Sequence, residues 1–182
     1  IAVAHLDEKS EMTVLNNIAI LYSRDKKQDK AEEYFTKAYE LAGKVNNNIS
    51  KGLYAINLTI VSNEKKDYKT AKKYIDEALK LTVDSPYYLL AKSTYVETLV
   101  NLKQFDEAEK ISTELLPKLN GVEHSEYKTQ IFYNLSTIAE QKNDLQKSFH
   151  YLKLAEASNL NYDFKENIFE KFSNLYKKRE QY

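Results

Sequence analysis

The chain of 182 residues contains no cysteine and no tryptophan, and it has only three glycines and two prolines. Without cysteine it can form neither a disulfide nor a thiolate metal site. So few glycines and prolines leave little material for hairpin turns or long irregular loops, which favours a helical protein. The sequence also lacks an apolar run of about eighteen residues, so it predicts no membrane-spanning helix and no membrane contact by this segment.

The charges balance, with 27 Lys and Arg against 27 Asp and Glu, and the formal net charge is +0. A neutral chain has no large-scale field that would attract nucleic acid or anionic lipid, so we expect no nucleic-acid binding by this segment. Most carboxylates stand among lysines at spacings of three and four residues, which predicts ion pairs along helix faces.

Sequence signals of catalysis are also missing. His5, His124 and His150 lie far apart and do not have the spacing of a helical metal pair. The chain has no phosphate-binding loop, no glycine-rich dinucleotide turn and no nucleophile elbow. We therefore predict a non-enzymatic segment without a catalytic residue, a metal or a cofactor.

A small residue recurs at gaps of 40, 37 and 40 residues, at Ala31, Ala71, Ala108 and Ser148. A turn residue stands three positions before each of these small residues, at Gln28, Tyr68, Phe105 and Leu145. A further step of 37 residues from Leu145 reaches Tyr182. A second small site follows at Ala38, Ala78 and Ala155, with Leu115 in its place in the third unit. Small side chains on one helix face let two helices approach closely, so the period predicts stacked helix pairs.

These units resemble the tetratricopeptide repeat, a helix-turn-helix module. The residues that carry the resemblance are "LNNIAILY…A…F…A", "AINLTIVS…DYKTAKKYIDEA", "STYVETLV…FDEAEKIS", "FYNLSTIAE…DLQKSFHYLKLA" and the half-unit "IFEKFSNLY…QY". Their period is longer than the family's usual 34 residues. The resemblance implies an all-α fold, a right-handed α-α superhelix of antiparallel helix pairs.

We expect one array over residues 1–182. Residues 1–11 would be the tail of a preceding helix, and 163–182 the first helix of a truncated fifth repeat, with full repeats at about 12–48, 49–85, 86–122 and 123–162. The expected helices are about 12–25, 28–46, 49–65, 68–83, 86–103, 105–119, 123–142, 145–158 and 163–181. Ser85-Pro86 is typical of a helix start, and Pro117 of a helix end or kink before Asn120-Gly121.

In this family the first helices of successive repeats line a concave groove, so the resemblance implies peptide contacts there. The candidate residues are Asn16, Asn17, Ile20, Arg24, Asn57, Ile60, Glu64, Thr94, Glu97, Asn101, Tyr133, Asn134 and Thr137. Asn17, Asn57 and Asn134 occupy equivalent positions, and a carboxamide can pair with the backbone of an extended peptide. These asparagines could instead face solvent or bond to a neighbouring helix. The isoleucines could form a ligand floor or belong to the core between repeats, and the core interpretation is preferred.

The resemblance implies a module that binds a protein or a peptide. Composition and period are similar to arrays in bacterial signalling proteins and transcription regulators, which indicates the sensory or scaffold segment of a larger regulator. A peptide-pheromone receptor domain is the alternative, and an RNA-binding helical repeat is less favoured because the chain is neutral. The positions with which some relatives clamp a chaperone's terminal carboxylate lack basic residues here, so we do not expect that ligand. Exposed array ends make a homodimer conceivable, and the compartment stays open between cytoplasm and periplasm, with the cytoplasm preferred.

Overall fold

The computed structural model describes residues 7–119, 126–158 and 162–180. In these ranges the chain forms nine α-helices and one short 3₁₀ helix, Leu116–Leu119, and no strand. The α-helices are α1 (Glu8–Arg24), α2 (Gln28–Lys44), α3 (Asn48–Glu64), α4 (Tyr68–Leu81), α5 (Tyr88–Asn101), α6 (Phe105–Leu115), α7 (Glu126–Gln141), α8 (Leu145–Ser158) and α9 (Tyr162–Glu180). The all-α prediction is confirmed.

The chain divides into two compact units, Ile1–Thr98 and Leu99–Tyr182. In the first unit α1 packs on α2, α2 on α3 and α3 on α4. In the second unit α7 packs on α8, and α8 on α9. Consecutive helices therefore form the pairs that the period predicted. None of the helices in the described ranges is long and apolar enough to cross a membrane.

The small residues of the repeat are shielded from solvent. Ala31, Ala71, Ala108 and Ser148 are fully buried, and so are Ala38, Ala78 and Ala155. In the first pair Ala31 packs in a cluster with Ala19, Phe35 and Leu58. The predicted role of these residues, a gap that lets helices nest, is seen directly at Ala31, Ala38, Ala78 and Ser148, which contact the first helix of their pair.

Left-handed residues close the turns between helices. Lys26, Lys66, Lys103 and Asn143 have φ between 57° and 63°, and each stands two residues before a second helix. At Lys66 the backbone N–H donates to the carbonyl of Asn63 at 3.0 Å, and that of Asp67 donates to Ser62 at 2.9 Å. This is the Schellman arrangement, which satisfies the last carbonyls of the helix. Lysine and asparagine thus fill the position that glycine usually takes, which accounts for tight turns in a glycine-poor chain.

Most helix ends differ from the expected ones by one to four residues, and α1, α5 and α6 show a physical cause. The helix α1 begins at Glu8 because the Asp7 carboxylate accepts the N–H of Ser10 at 2.7 Å. Residues 8–11 are therefore its first turn, and the prediction that they end a preceding helix is wrong. The helix α5 begins at Tyr88, two residues after Pro86, because the hydroxyl of Ser85 caps a turn by accepting the N–H of Tyr87 at 3.2 Å.

The helix α6 ends at Leu115, and Pro117 lies in the 3₁₀ helix that follows. Proline lacks the N–H that an α-helix needs at this position, so the predicted effect of Pro117 is confirmed. The predictions for residues 1–6, Asn120-Gly121 and Tyr182 concern positions outside the described residues. The single array over 1–182 with its repeat boundaries stays a prediction.

Candidate functional site

The predicted contact residues lie on the first helix of each pair. We call Asn16, Asn17, Ile20, Arg24, Asn57, Ile60, Glu64, Thr94 and Glu97, on α1, α3 and α5, the unit-1 face. The remaining four, Asn101, Tyr133, Asn134 and Thr137, belong to the second unit and form the unit-2 face.

Two asparagines of the unit-1 face bond to each other across neighbouring helices. The Nδ2 of Asn57 on α3 donates to Oδ1 of Asn16 on α1 at 2.8 Å. Asn16 is half-buried and its Nδ2 makes a long bond of 3.5 Å to the exposed Asn17. Of the two alternatives to peptide contact, solvent exposure and a bond to a neighbouring helix, Asn57 shows the bond to a neighbouring helix. A carboxamide can take part in about four hydrogen bonds, so the pair keeps capacity for further partners.

The isoleucines of this face belong largely to the core. Ile20 and Ile60 pack against buried clusters while keeping part of their surface exposed, and Ile56, next to Asn57 on α3, is fully buried. This favours the core interpretation over the ligand-floor interpretation. Thr94 is also buried, so it offers little surface to a ligand.

Two carboxylates of the unit-1 face influence each other. Burial raises the pKa of Glu97 to about 7, and the negative charge of Glu64 adds to the effect. Burial also raises the pKa of Glu64. Next to them, the Nδ2 of Asn63 donates to Oγ1 of Thr98 at 3.1 Å and joins the last turns of α3 and α5. Glu97 therefore holds its proton at a pH where an ordinary glutamate is ionised.

The unit-2 face is more closed than expected. Asn134 is buried; its Oδ1 accepts from Nε2 of Gln130 at 3.4 Å, and its Nδ2 has no hydrogen-bond partner among the described residues. Thr137 donates to the backbone carbonyl of Tyr133 at 3.2 Å, while Asn101 is half-buried at the end of α5. Asn134 thus offers little surface to a peptide.

Tyr133 packs under α9. Its ring meets Phe164 edge-on, with ring centroids 5.2 Å apart, and the Nζ of Lys171 lies 5.3 Å from its centroid. Lys171 also pairs with Glu140 at 2.9 Å, and Glu140 pairs with Lys178. Burial pushes the pKa of Glu140 upward, but the bonds from Lys178 and Lys171 outweigh it and lower that pKa. This network holds α9 against α7 in the second unit.

Ion pairs between helix pairs were missed by the sequence reasoning. Lys65 bonds to Asp29 at 2.7 Å and to Glu32 at 2.6 Å, and Lys142 bonds to Asp106 and Glu109 at 2.7 Å each. The predicted pairs along a helix face also occur, at Lys37–Glu33 and Lys72–Asp76. A signal for the longer-range pairs was present in the sequence, because an acidic residue stands on both sides of Ala31 and of Ala108.

No group of three or more His, Asp or Glu side chains that could hold a metal ion occurs in the described ranges. The unit-1 face and the unit-2 face combine amides, partly exposed aliphatic side chains and carboxylates.

Comparison with known proteins supports the fold. The tetratricopeptide repeat model matches residues 13–44, which cover most of α1 and α2. The crystal structure of BtubC (BKLC) from P. vanneervenii superposes with a TM-score of 0.68 at 18% identity, over 86% of this chain and 66% of that one, just under two thirds of its length.

Two structures of another protein are similar over nearly the whole chain. MamA 41-end from Desulfovibrio magneticus RS-1 has a TM-score of 0.59 at 18% identity, over 98% of this chain and 99% of that one. The double mutant MamA RS-1 ArsTM has a TM-score of 0.59 at 15% identity, over 98% and 100%. No curated protein matches the chain at a significant level.

The resemblance to the tetratricopeptide repeat is thus confirmed by the matched repeat and the helix-pair fold. The family model matches one repeat of this chain, and the superposed structures share its fold of consecutive helix pairs. Repeats of this kind are protein-interaction modules, their fold is typically a non-enzymatic scaffold, and proteins that carry them generally bind protein partners.

Proposed function

We propose that the chain is an interaction module that binds an extended peptide segment of a protein partner on the unit-1 face. The observation that carries this proposal is the hydrogen bond of 2.8 Å between Asn57 and Asn16. It orders two carboxamides on neighbouring first helices, so binding a peptide backbone there costs less side-chain entropy than it would with free side chains.

The surroundings of this pair suit a peptide. Asn17 and Arg24 are exposed beside it on α1 and offer donors and acceptors for backbone groups. The exposed parts of Ile20 and Ile60 offer apolar contact next to the amides. On the unit-2 face we assign Tyr133, Thr137 and Asn101 a minor role and Asn134 the least, because Asn134 is buried.

We further propose that the chain is the sensory or scaffold segment of a larger bacterial regulatory protein. The support is the similarity of its composition and its 37/40 period to arrays in such proteins. A peptide bound across α1 and α3 would favour one spacing of the helix pairs over others and so shift the population that the rest of the protein reads. A receptor for a free peptide pheromone would use the same face and is the alternative.

Peptide selection followed by calorimetry tests the binding proposal. Random peptides of about twelve residues are displayed on phage, selected on the chain, synthesised and titrated into wild-type protein. We expect Asn57→Ala to weaken the selected peptide by about tenfold, as the loss of oriented hydrogen bonds implies. Circular dichroism confirms that the variant is folded.

The matched control is Asn48→Ala, an exposed asparagine in the first turn of the same helix. Its affinity should stay within about twofold of wild type. Equal affinity of both variants, or a selection that yields no binding peptide, would refute binding on the unit-1 face.

A further inference from the structure

The last turns of α3 and α5 bring two carboxylates and an amide together on the unit-1 face. Asn63 and Glu64 end α3, and Glu97 and Thr98 lie in the last turns of α5. The Nδ2 of Asn63 donates to Oγ1 of Thr98 at 3.1 Å, so these two pairs of residues lie side by side. Glu64 is exposed, Glu97 is half-buried, and the negative charge of Glu64 acts on Glu97. We call Asn63, Glu64 and Glu97 the acceptor seam.

One buried acceptor in this seam has no donor. Asn63 is 5% exposed, and its Oδ1 has no hydrogen-bond partner among the described residues. Oδ1 belongs to the same carboxamide as the Nδ2 that bonds to Thr98, so it lies in the same seam between α3 and α5. A buried amide oxygen without a partner is uncommon, because nothing offsets the loss of its hydration. This oxygen therefore indicates a donor that a ligand supplies.

The nearest lysine in the sequence is engaged elsewhere. Lys65 directly follows Glu64, and it bonds to Asp29 at 2.7 Å and to Glu32 at 2.6 Å on α2. Burial raises the pKa of Glu64 and of Glu97, and no positive charge of the described residues offsets that effect at either glutamate. In the part of the chain that the structure describes, the acceptor seam therefore lacks a cationic partner.

A guanidinium group fits these acceptors better than a metal ion does. Ca²⁺ takes roughly six to eight oxygen ligands, and the seam offers two carboxylates and one amide oxygen. A guanidinium carries its N–H donors in one plane and bonds to carboxylates through parallel hydrogen bonds. Ile60, one turn before Glu64, packs against a buried cluster and stays partly exposed. It can therefore contact the methylene groups of an arginine side chain.

We propose that the acceptor seam is a binding site for a guanidinium group, and that the peptide on the unit-1 face places an arginine there. Use of the site by a peptide rests on the proposed function, whereas the site itself stands on the contacts of the seam alone. Asn57, Ile60 and Glu64 lie along one stripe of α3. Seven positions of a helix span about 10 Å, a distance that an extended peptide covers in about three residues. The arginine is therefore expected about three residues from the position that meets Asn57.

Nuclear magnetic resonance of the whole ¹⁵N-labelled chain tests the site with a small probe, Nα-acetylarginine amide, at about pH 7.5. We expect saturable shifts of the Asn63 side-chain amide and of the Glu97 backbone amide. The dissociation constant should lie roughly in the millimolar range, because a single side chain makes the contact. Nα-acetylcitrulline amide has the same shape without the charge and should bind at least about tenfold more weakly. Nα-acetyl-lysine amide should bind at least about threefold more weakly, because an ammonium cannot form the planar pair of bonds.

Glutamine variants test the two carboxylates. Glu97→Gln and Glu64→Gln should each weaken binding of the arginine probe by at least about threefold. Glu40→Gln removes an exposed carboxylate of α2, outside the unit-1 face, and as the matched control it should bind like the wild type. Wild-type affinity should also rise from about pH 5.5 to about pH 8, because Glu97 and Glu64 lose their protons at higher pH than ordinary glutamates do. Glu97→Gln should flatten this rise.

Failure of the site and failure of peptide binding give different results. A lack of saturable shifts, equal affinity for the citrulline probe, or unchanged affinity in both glutamine variants would overturn the guanidinium site. Selected peptides that depend on Asn57 but not on an arginine would overturn its use by the peptide and leave the proposed function intact. Binding of the arginine probe without any selected peptide would support the site and refute peptide binding on the unit-1 face.

Discussion

The Nζ of Lys65 lies 2.6 Å from a carboxylate oxygen of Glu32, and the same relationship recurs one double repeat later between Lys142 and Glu109, at 2.7 Å. Each lysine directly follows a first helix, and each glutamate lies in the opening turns of the preceding second helix. The lysines also pair with Asp29 and Asp106. Within each unit, the same charged contact therefore joins the second helix of one pair to the first helix of the next pair.

Removing this contact should lower stability modestly and in a salt-dependent way. We expect Lys65→Met to reduce the free energy of unfolding by about 0.5–1 kcal/mol at low salt, because the pair is partly exposed. The loss should shrink in about 0.5 M NaCl, where screening weakens the wild-type pair. Urea denaturation at both salt concentrations measures it. Lys69→Met, an exposed lysine on α4, removes the same charge and should change stability little; equal losses in both variants would contradict the assignment.

The two described helical glycines should respond oppositely to alanine. A Cβ at Gly52 would lie 2.6 Å from Cγ2 of Thr82 and 3.1 Å from Cβ of Leu81, so Gly52→Ala should destabilise by about 1–3 kcal/mol. At Gly43 the nearest atom would be Cε of the Lys51 side chain at 3.6 Å. Gly43→Ala should therefore stabilise by about 0.5–1 kcal/mol, because alanine is the better helix former. Thermal unfolding of both variants measures the two changes in stability. A loss of stability in Gly43→Ala would contradict the free space that the structure shows around Gly43.

The left-handed turn residues should accept glycine with a gain. Lys66 has φ of 63°, a conformation that costs a residue with a Cβ about 1 kcal/mol and costs glycine little. We expect Lys66→Gly to raise the free energy of unfolding by up to about 1 kcal/mol. Lys69→Gly, inside the first turns of α4, should lower it by about the same amount. Chemical denaturation of the two variants compares them, and a stability loss in Lys66→Gly would show that its side chain contributes more than its backbone costs.

Glu97 should make stability fall as the pH rises. Its pKa is raised from 4.5 to about 7 in the folded chain, so the unfolded chain releases this proton at lower pH than the folded one does. The stability contributed is fully present below pH 4.5 and is lost as the pH rises to about 7, by up to about 3 kcal/mol. Glu64, which faces Glu97, has a raised pKa too and adds to the slope.

Glu97→Gln should remove that part of the slope and be more stable than the wild type at pH 8. Urea titrations between pH 4 and pH 8 measure the difference between variant and wild type. Glu114→Gln, which removes an exposed carboxylate of α6, is titrated alongside as the control for the substitution itself. A constant difference between Glu97→Gln and the wild type across this range would rule out the raised pKa.

The helix pairs could be predicted because their signal is local and repeated. The positions of Ala31, Ala71, Ala108 and Ser148 predicted the starts of α2, α4, α6 and α8 at Gln28, Tyr68, Phe105 and Leu145. Two helices can pack closely only where a small residue is buried between them, so the recurrence of small residues in the sequence is enough to predict the pairing. The start of α1 was predicted four residues too late. The first turn after the Asp7 cap, residues 8–11, contains no apolar residue and so adds nothing to the hydrophobic periodicity.

The contact faces could be predicted only in part. The sequence placed Asn57 and Asn134 at equivalent positions, yet Asn57 is half-buried with a partner on α1 while Asn134 is buried. How deep such a side chain lies depends on the rotation of each helix about its axis, and a repeat spacing does not determine that rotation. The pairing of Glu97 with Glu64 and of Asn63 with Thr98 joins residues more than thirty positions apart and was missed for the same reason.

The residues that shape the turns of this protein are different from the residues that form its exposed unit-1 face. Lys26, Lys66, Lys103 and Asn143 fix where each second helix starts through backbone geometry alone. The exposed side chains of the unit-1 face, such as Asn17 and Arg24, contribute nothing to that geometry. Substitutions of these exposed side chains can therefore change the chemistry of the unit-1 face while the turns that position the helices stay the same.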